Sequence, residues 1–290
     1  MIRRPPRSTQ GVSSAASDVY KRQSKDELGS LIERAKTFRK MHARGDVYQP
    51  LVGRTAAVIM QLSSTRTRLA FEAGLAQLGA HAVFLSTKDS QMGRGEPIED
   101  LARVLSEMVD IVMIRTLEQS DMQTLADYAS IPVINAMSSL LHPCQLLADV
   151  QTFEELRGSI KGKRVAFLGD GYNMCHSYIN ASTQWDFELR IACPDAHQPN
   201  AEILASGHNA QRVQTAGEAV AAADLVVTDV WSSMGHEGQE AQRREIFEPY
   251  QVNEALLDQA KSDVLFMHCL PAHRGEEVSA TLLDLSLIHI

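Results

Sequence analysis

The sequence predicts an α/β protein of two doubly wound domains, each a mainly parallel sheet flanked by helices. Three observations carry this. Short apolar runs of strand length alternate with helical stretches, and the residues directly after those runs are strongly polar. A charged helical segment, 147–156, separates two such series and puts the break between domains near residue 150.

The chain opens on a helix, 24–44. Ser24 and Glu27 form the S-x-x-E pattern of a capping box, and Leu28, Leu31, Ile32, Ala35, Phe38 and Met41 recur at helical spacing before Gly45. The first series of apolar runs follows at 56–60, 82–85, 111–114 and 133–134. Strands so uniformly apolar belong to a parallel sheet covered on both faces. The second series lies at 165–168, 189–192, 225–230 and 264–267. The domains are therefore expected at 24–150 and 151–284.

Both ends are read as foreign to this design. One codon choice for DVYKRQ (18–23) is the reverse complement of one encoding LSLIHI (285–290), as translated sequencing-adapter ends would be. Residues 1–23 are thus expected to be a non-native leader and 285–290 a non-native tail.

Composition narrows the function classes. Among 290 residues, 28 Lys and Arg face 36 Asp and Glu, a formal net charge of -8. Without the basic leader the balance is more acidic still, so neither nucleic acid nor an anionic membrane is an expected partner. No apolar run approaches the roughly 18 residues that span a bilayer. The cysteines, Cys144, Cys175, Cys193 and Cys269, form no CxxC pair. A soluble, cytoplasmic protein without structural zinc or a disulfide framework is expected.

In open α/β sheets, ligands collect at the carboxyl ends of the strands. The residues there read SSTRTR (63–68), DSQMGRGE (89–96), Arg115 with Thr116, and NAMSSLLHPCQ (135–145). In the second series they read GDGYN (169–173), DVWSSMG (229–235) and HCLPAHRGEE (268–277). Ser64, Thr65, Arg66, Thr67 and Arg68 bring hydroxyls, backbone N–H groups and a guanidinium to a helix N-terminus. That makes either a phosphate cradle or an ordinary N-cap with solvated arginines. Arg115 ends an apolar strand and needs an anion there, from a ligand or a structural glutamate. His142 and Gln145, three apart at a helix start, aim a donor and an amide into one cleft, unless the histidine is structural. Asn173 and Asp229 follow strands of the second series; Asp229 takes a ligand ammonium or caps a turn. Cys269 is either a ligand-contacting thiol or a small buried hydrophobe. GDGYNM has Met174 where a dinucleotide fingerprint needs its third glycine, so no nicotinamide cofactor is expected.

STRTR, HPCQ, DVWSSMG and HCLPAHRGEE, in this order and spacing, resemble the carbamoyltransferase family and specifically its ornithine-dependent members. The likeness runs from Ser24 to Asp284. It implies a carbamoyl phosphate domain followed by an ornithine domain, no metal or organic cofactor, and a homotrimer or a multiple of one. It also implies roles. Ser64, Thr65, Arg66 and Thr67 would hold the phosphate, and Gln91 would reach a neighbouring subunit's phosphate. Arg115 and His142 would bind the carbamoyl oxygen and Gln145 the carbamoyl amide. Asn173 would take the ornithine carboxylate and Asp229 its α-ammonium, with Ser233 and Met234 lining the same pocket. Cys269 and the Leu270 backbone would sit beside the reacting amine and the carbamoyl group.

The reaction so implied is attack of the neutral δ-amine of L-ornithine on carbamoyl phosphate, giving L-citrulline and phosphate in arginine metabolism. Arg66, Arg115, His142 and Cys269 would stand nearest the chemistry. Another amine acceptor, putrescine or an N-acylated ornithine, and a non-catalytic relative with the same fold are the competing readings. Two departures from the family pattern stand out. Met60, Gln61 and Leu62 replace a phenylalanine, an acid and a lysine before the phosphate motif, and Tyr172 replaces an asparagine. The family's closing E-N-R stretch and last helix are expected to lie beyond Asp284.

Overall fold

The computed structural model describes residues 23–87, 92, 95–232 and 240–285; Gln91, Ser233 and Met234 lie outside them, as does the leader up to residue 22. Helix α1 (Lys25–Ala43) starts on the expected capping box. The Ser24 N–H donates to Glu27 Oε2 at 2.7 Å, and the Glu27 N–H returns a bond to Ser24 Oγ at 3.2 Å. Leu28 and Ile32 are its buried residues. The chain divides into two compact units. Met41–Ser138 form one; Gln23–Lys40 join Ser139 onward in the other. By compactness the parting falls at Ser138, ahead of helix α5 (Pro143–Arg157). Ion pairs explain the grouping: Lys36 Nζ reaches Glu154 at 2.7 Å and Arg39 pairs with Glu155, fastening α1 to α5.

The first unit holds strands β1 (Thr55–Met60), β2 (His81–Ser86), β3 (Ile111–Arg115) and β4 (Val133–Met137), all parallel, in the order β2-β1-β3-β4. Both faces are covered, as the apolar runs require. Ala57 and Ile59 point into a core with Leu101, Ala102 and Leu105 of α3 (Ile98–Met108) and Met122 and Leu125 of α4 (Gln119–Tyr128). Ala56, Val58 and Met60 point the other way, onto Leu75 and Phe71 of α2 (Thr65–Gln77).

The second unit holds β5 (Arg164–Leu168), β6 (Glu188–Ala192), β7 (Ala210–Arg212), β8 (Leu225–Thr228) and β9 (Leu265–His268) in the parallel order β7-β6-β5-β8-β9. Three residues, Ala-Gln-Arg, form β7 at the sheet edge; with one apolar member it carries no strand signature. Helix α6 (Asn173–Trp185) is buried along its first ten residues. Helix α7 (Glu240–Phe247) is anchored by Arg243, which is 3% exposed. Its guanidinium pairs with Asp170, donates to the Trp231 carbonyl and lies over the Phe247 ring at 4.8 Å. Burial pushes the Asp170 carboxyl up to about 6, while Arg243 works to keep it ionised. No helix of the described residues is long and apolar enough to cross a membrane.

The chain reverses its walk across each sheet once, between β1 and β3 and again between β5 and β8. Such switch points open a crevice at the strand ends. Gly171, in the loop after β5, is there because backbone passes over it: a Cβ would stand 2.3 Å from Pro199 N and 2.6 Å from His197 O. Backbone cannot yield as a side-chain tip can. Gly171→Ala is therefore expected to cost about 1–3 kcal/mol of stability, read as a lower urea midpoint with an unchanged m-value.

Candidate functional site

In the first unit the candidate residues meet at the switch between β1 and β3. Ser64 is the N-cap of α2 in extended conformation (φ -154°, ψ 113°), and its Oγ accepts from the Thr67 N–H. The hydroxyls of Ser64 and Thr67 are bonded at 2.9 Å, and Arg115 Nη1 donates to Thr67 Oγ1 at 3.1 Å. Arg115 is 6% exposed at the end of β3, so burial and register hold its head group against the α2 N-terminus. Thr65 and Arg66 are exposed in the first turn. Arg68 is differently employed. Its guanidinium lies 3.6 Å from the Phe84 ring centroid and pairs with Glu72 at 2.9 Å, one turn along the helix.

The altered stretch before this motif is structurally absorbed. Met60 is core. Gln61 accepts from Thr116 Oγ1 at 2.5 Å and donates to Asp121 at 3.2 Å, tying the end of β1 to β3 and α4.

In the second unit, His142 is the residue before α5 and Pro143 occupies the first turn, where a missing N–H costs nothing. Helix α6 grips this segment twice. The His142 N–H donates to Ser177 Oγ at 2.8 Å, and His176 Nδ1 bonds the Leu140 carbonyl at 3.0 Å. The other nitrogen of His176 accepts from the Asn200 N–H at 2.9 Å, so Nδ1 carries the proton and the ring is neutral. Burial also holds its pKa down. Asn173 opens α6 and is buried; its carbonyl accepts from Ser177 Oγ at 2.8 Å. Gln145, half-buried on α5, donates through Nε2 to Asp149 Oδ1 at 2.9 Å.

Asp229, directly after β8, accepts from the Val230 N–H at 2.7 Å and from Cys269 Sγ at 2.9 Å. It both closes a turn and meets the thiol. Burial raises the Asp229 pKa, and burial beside that carboxylate raises Cys269 well above the usual thiol range. Cys269 is therefore a neutral S–H donor and not a nucleophile. The next residue, Leu270, has φ +35°, a strained backbone for a branched side chain. Its N–H donates to His268 Nδ1 at 3.0 Å, and His268 Nε2 faces Glu277 Oε1 at 3.0 Å. His268 and Glu277 are fully buried, and Glu277 Oε1 also accepts from the His273 N–H at 2.6 Å.

Sequence reading missed several of these residues. Asp149, Tyr178 and Ser177 sit on helix interiors with no motif around them. His268 and Glu277 stand inside HCLPAHRGEE, and a histidine and a glutamate nine apart are not a pattern by themselves. Among the described residues, His273, Glu276 and Glu277 bring three metal-capable donors within 4.8 Å, but Arg244 already pairs with Glu276.

The chemistry of these surfaces follows from the helix ends. Helices α1, α3 and α4 carry acids in their first turns; α2, α5 and α6 carry none. Acids neutralise the positive end of the helix dipole, so α2, α5 and α6 keep theirs for an anionic or polarised ligand.

Comparison with known proteins gives the family. Residues 19–155 match the family model for the aspartate/ornithine carbamoyltransferase carbamoyl-P binding domain, and residues 161–289 that for the Asp/Orn binding domain. The anabolic ornithine carbamoyltransferase of Pseudomonas aeruginosa is 56% identical over 262 residues, 90% of this chain and 86% of the relative. The ornithine carbamoyltransferase of a Psychrobacter species is 55% identical over 259 residues, 89% of this chain and 85% of the relative. The crystal structure of ornithine carbamoyltransferase from Burkholderia thailandensis superposes with a TM-score of 0.86 at 44% identity, covering 93% of this chain and 90% of the other. The Pyrococcus furiosus ornithine carbamoyltransferase gives 0.88 at 42% identity, covering 96% and 93%.

The raised Cys269 pKa has a direct readout. Alkylation of Cys269 by iodoacetamide, followed by mass spectrometry, should stay slow at pH 9, where a thiol of ordinary pKa, about 8.5, is mostly thiolate.

Proposed function

The chain belongs to the aspartate/ornithine carbamoyltransferase family and carries the carbamoyl group to ornithine, and we propose a division of that work among its residues. The neutral δ-amine of L-ornithine attacks the carbamoyl carbon of carbamoyl phosphate. A tetrahedral oxyanion forms, the bond to phosphate breaks, and L-citrulline and phosphate are released. The anabolic relative supports a place in arginine biosynthesis. The observation that carries the site assignment is the acid-free α2 N-terminus joined to buried Arg115 through Thr67.

Ser64, Thr65, Arg66 and Thr67 hold the phosphate with hydroxyls, backbone N–H groups and a guanidinium. Arg115 and His142 donate to the carbamoyl oxygen, where negative charge grows in the transition state, and Gln145 meets the carbamoyl NH2. Asn173 takes the ornithine carboxylate. Asp229 takes the α-ammonium, its orientation held by the Val230 N–H and Cys269 Sγ. Cys269 and the Leu270 backbone lie beside the reacting groups, and Ser233 and Met234 complete the amino-acid pocket. Gln91 serves a neighbouring subunit in a cytoplasmic homotrimer or a multiple of one; light scattering of the purified protein tests the assembly.

No covalent intermediate is needed. Positioning supplies up to roughly 7–11 kcal/mol, and preorganised donors at the oxyanion add to it.

With carbamoyl phosphate as donor, ornithine should give citrulline and release phosphate, whereas putrescine, N-acetylornithine and aspartate as parallel acceptors should give neither their own carbamoylated products nor phosphate above background; turnover with one of these others alone would overturn the acceptor assignment. Arg115→Leu should lower kcat/KM for carbamoyl phosphate by about 100- to 1,000-fold, the usual effect of losing an oxyanion donor. Because the amine must be unprotonated, kcat/KM for ornithine should rise from neutral toward alkaline pH; a flat profile with chemistry limiting would count against direct amine attack.

A further inference from the structure

Asp149 has no role in the assignments above, yet it lies directly behind Gln145. The two residues are four apart on α5, which puts their side chains on one face. Gln145 Nε2 donates to Asp149 Oδ1 at 2.9 Å, and the Tyr178 hydroxyl donates to Asp149 Oδ2 at 2.8 Å. Asp149 is 3% exposed and Tyr178 1%, whereas Gln145 is half-buried. The ring of Tyr178 is itself fixed, with its centroid 6.0 Å from that of Phe167. No other side-chain bond to Gln145 occurs among the described residues.

An amide has a donor end and an acceptor end, and on its own it can turn either way. An ionised carboxylate only accepts. With one oxygen taken by Tyr178 and the other by Gln145, Asp149 cannot rotate, and Gln145 must keep its NH2 turned inward. Its Oε1 is then the end left to meet a ligand. We propose that Asp149 is a positioning residue that fixes the Gln145 amide with its oxygen outward, so that the site selects an NH2-bearing carbamoyl group over an acyl group.

This rests on the reading that Gln145 meets the carbamoyl NH2. A methyl group at that place offers no hydrogen to Oε1 and leaves a polar atom unpaired, which is how hydrogen-bonding sites reject isosteres. The acid is an expensive way to hold a helix: burial pushes Asp149 up to about 7. Packing alone is better served by an apolar residue.

The test compares two stable mimics, phosphonoacetamide and 2-oxopropylphosphonate, which differ in NH2 against CH3. Binding to the full chain is measured by calorimetry at pH 8, where the carboxylate is ionised. The parent should prefer the amide by about tenfold, the worth of one hydrogen bond near 1.4 kcal/mol. Asp149→Leu should bring the ratio close to one by weakening the amide mimic alone. Asp149→Asn, which keeps the shape should the leucine protein fail to fold, should also lose the preference. There Tyr178 donates to the new amide's oxygen, and its NH2 turns Gln145 around. A ratio unchanged in both variants, or equal weakening of both mimics, overturns the proposal. Gln145→Leu separates the two layers. Loss of preference there with none in the Asp149 variants defeats the positioning role alone; an unchanged ratio in Gln145→Leu defeats the Gln145 assignment beneath it.

Discussion

Parallel strand pairing is the constraint on which the other features depend. When every strand of a sheet runs the same way, each delivers the following residue to the same edge, and each next helix begins there. The two switch points, β1 with β3 and β5 with β8, keep that edge open in each unit. Ser64–Thr67, Arg115, Asn173 and Asp229 all occupy it, and none depends on a long loop for its place. The register sets Arg115 opposite Met60, and the Gln61 N–H donates to the Arg115 carbonyl at 2.9 Å. A guanidinium is thereby delivered to the start of α2 with its backbone pinned.

Electrostatics is arranged at the same edge. An acid in the first turn of a helix contributes roughly 0.3–1 kcal/mol of stability, and α1, α3 and α4 make use of it. Helices α2, α5 and α6 forgo it, and they are the ones that begin at the candidate residues. The second unit goes further, with Asp149, Asp229, His268 and Glu277 all substantially removed from water. Each is bonded through at least one side-chain atom, although Glu277 Oε2 is buried without a hydrogen-bond partner, and burial raises the two aspartates. Such a cluster is poor design for stability alone. It is suited to holding side-chain orientations, as where Leu270 N–H, His268 and Glu277 form one chain of bonds.

Much of this was legible in the sequence. Apolar runs bounded by polar clusters marked eight of the nine strands among the described residues, since a strand buried on both faces has little choice of residue. The ninth, β7, sits at an edge and needs no apolar pattern. The candidate residues were legible for the same reason: a polar cluster directly after an apolar run has a fixed place in a parallel sheet. Arg68 was not, because nothing local distinguishes a guanidinium stacked on Phe84 from one offered to a ligand. Nor was the grouping of α1 with α5, which rests on ion pairs between residues more than a hundred positions apart.

By itself, then, the sequence determined the fold class, the strand ends and the set of polar residues placed there, because periodicity and punctuation are local properties. Only tertiary structure decided what each of those residues is bonded to. Thr67 belongs to Arg115, Cys269 to Asp229, Gln145 to Asp149, Asp149 in turn to Tyr178, and Leu270 to His268. Most of these bonds join different elements, and an acid's ionisation depends on burial by all of them together. Neither partner nor pKa is a property of a residue's neighbours in the chain.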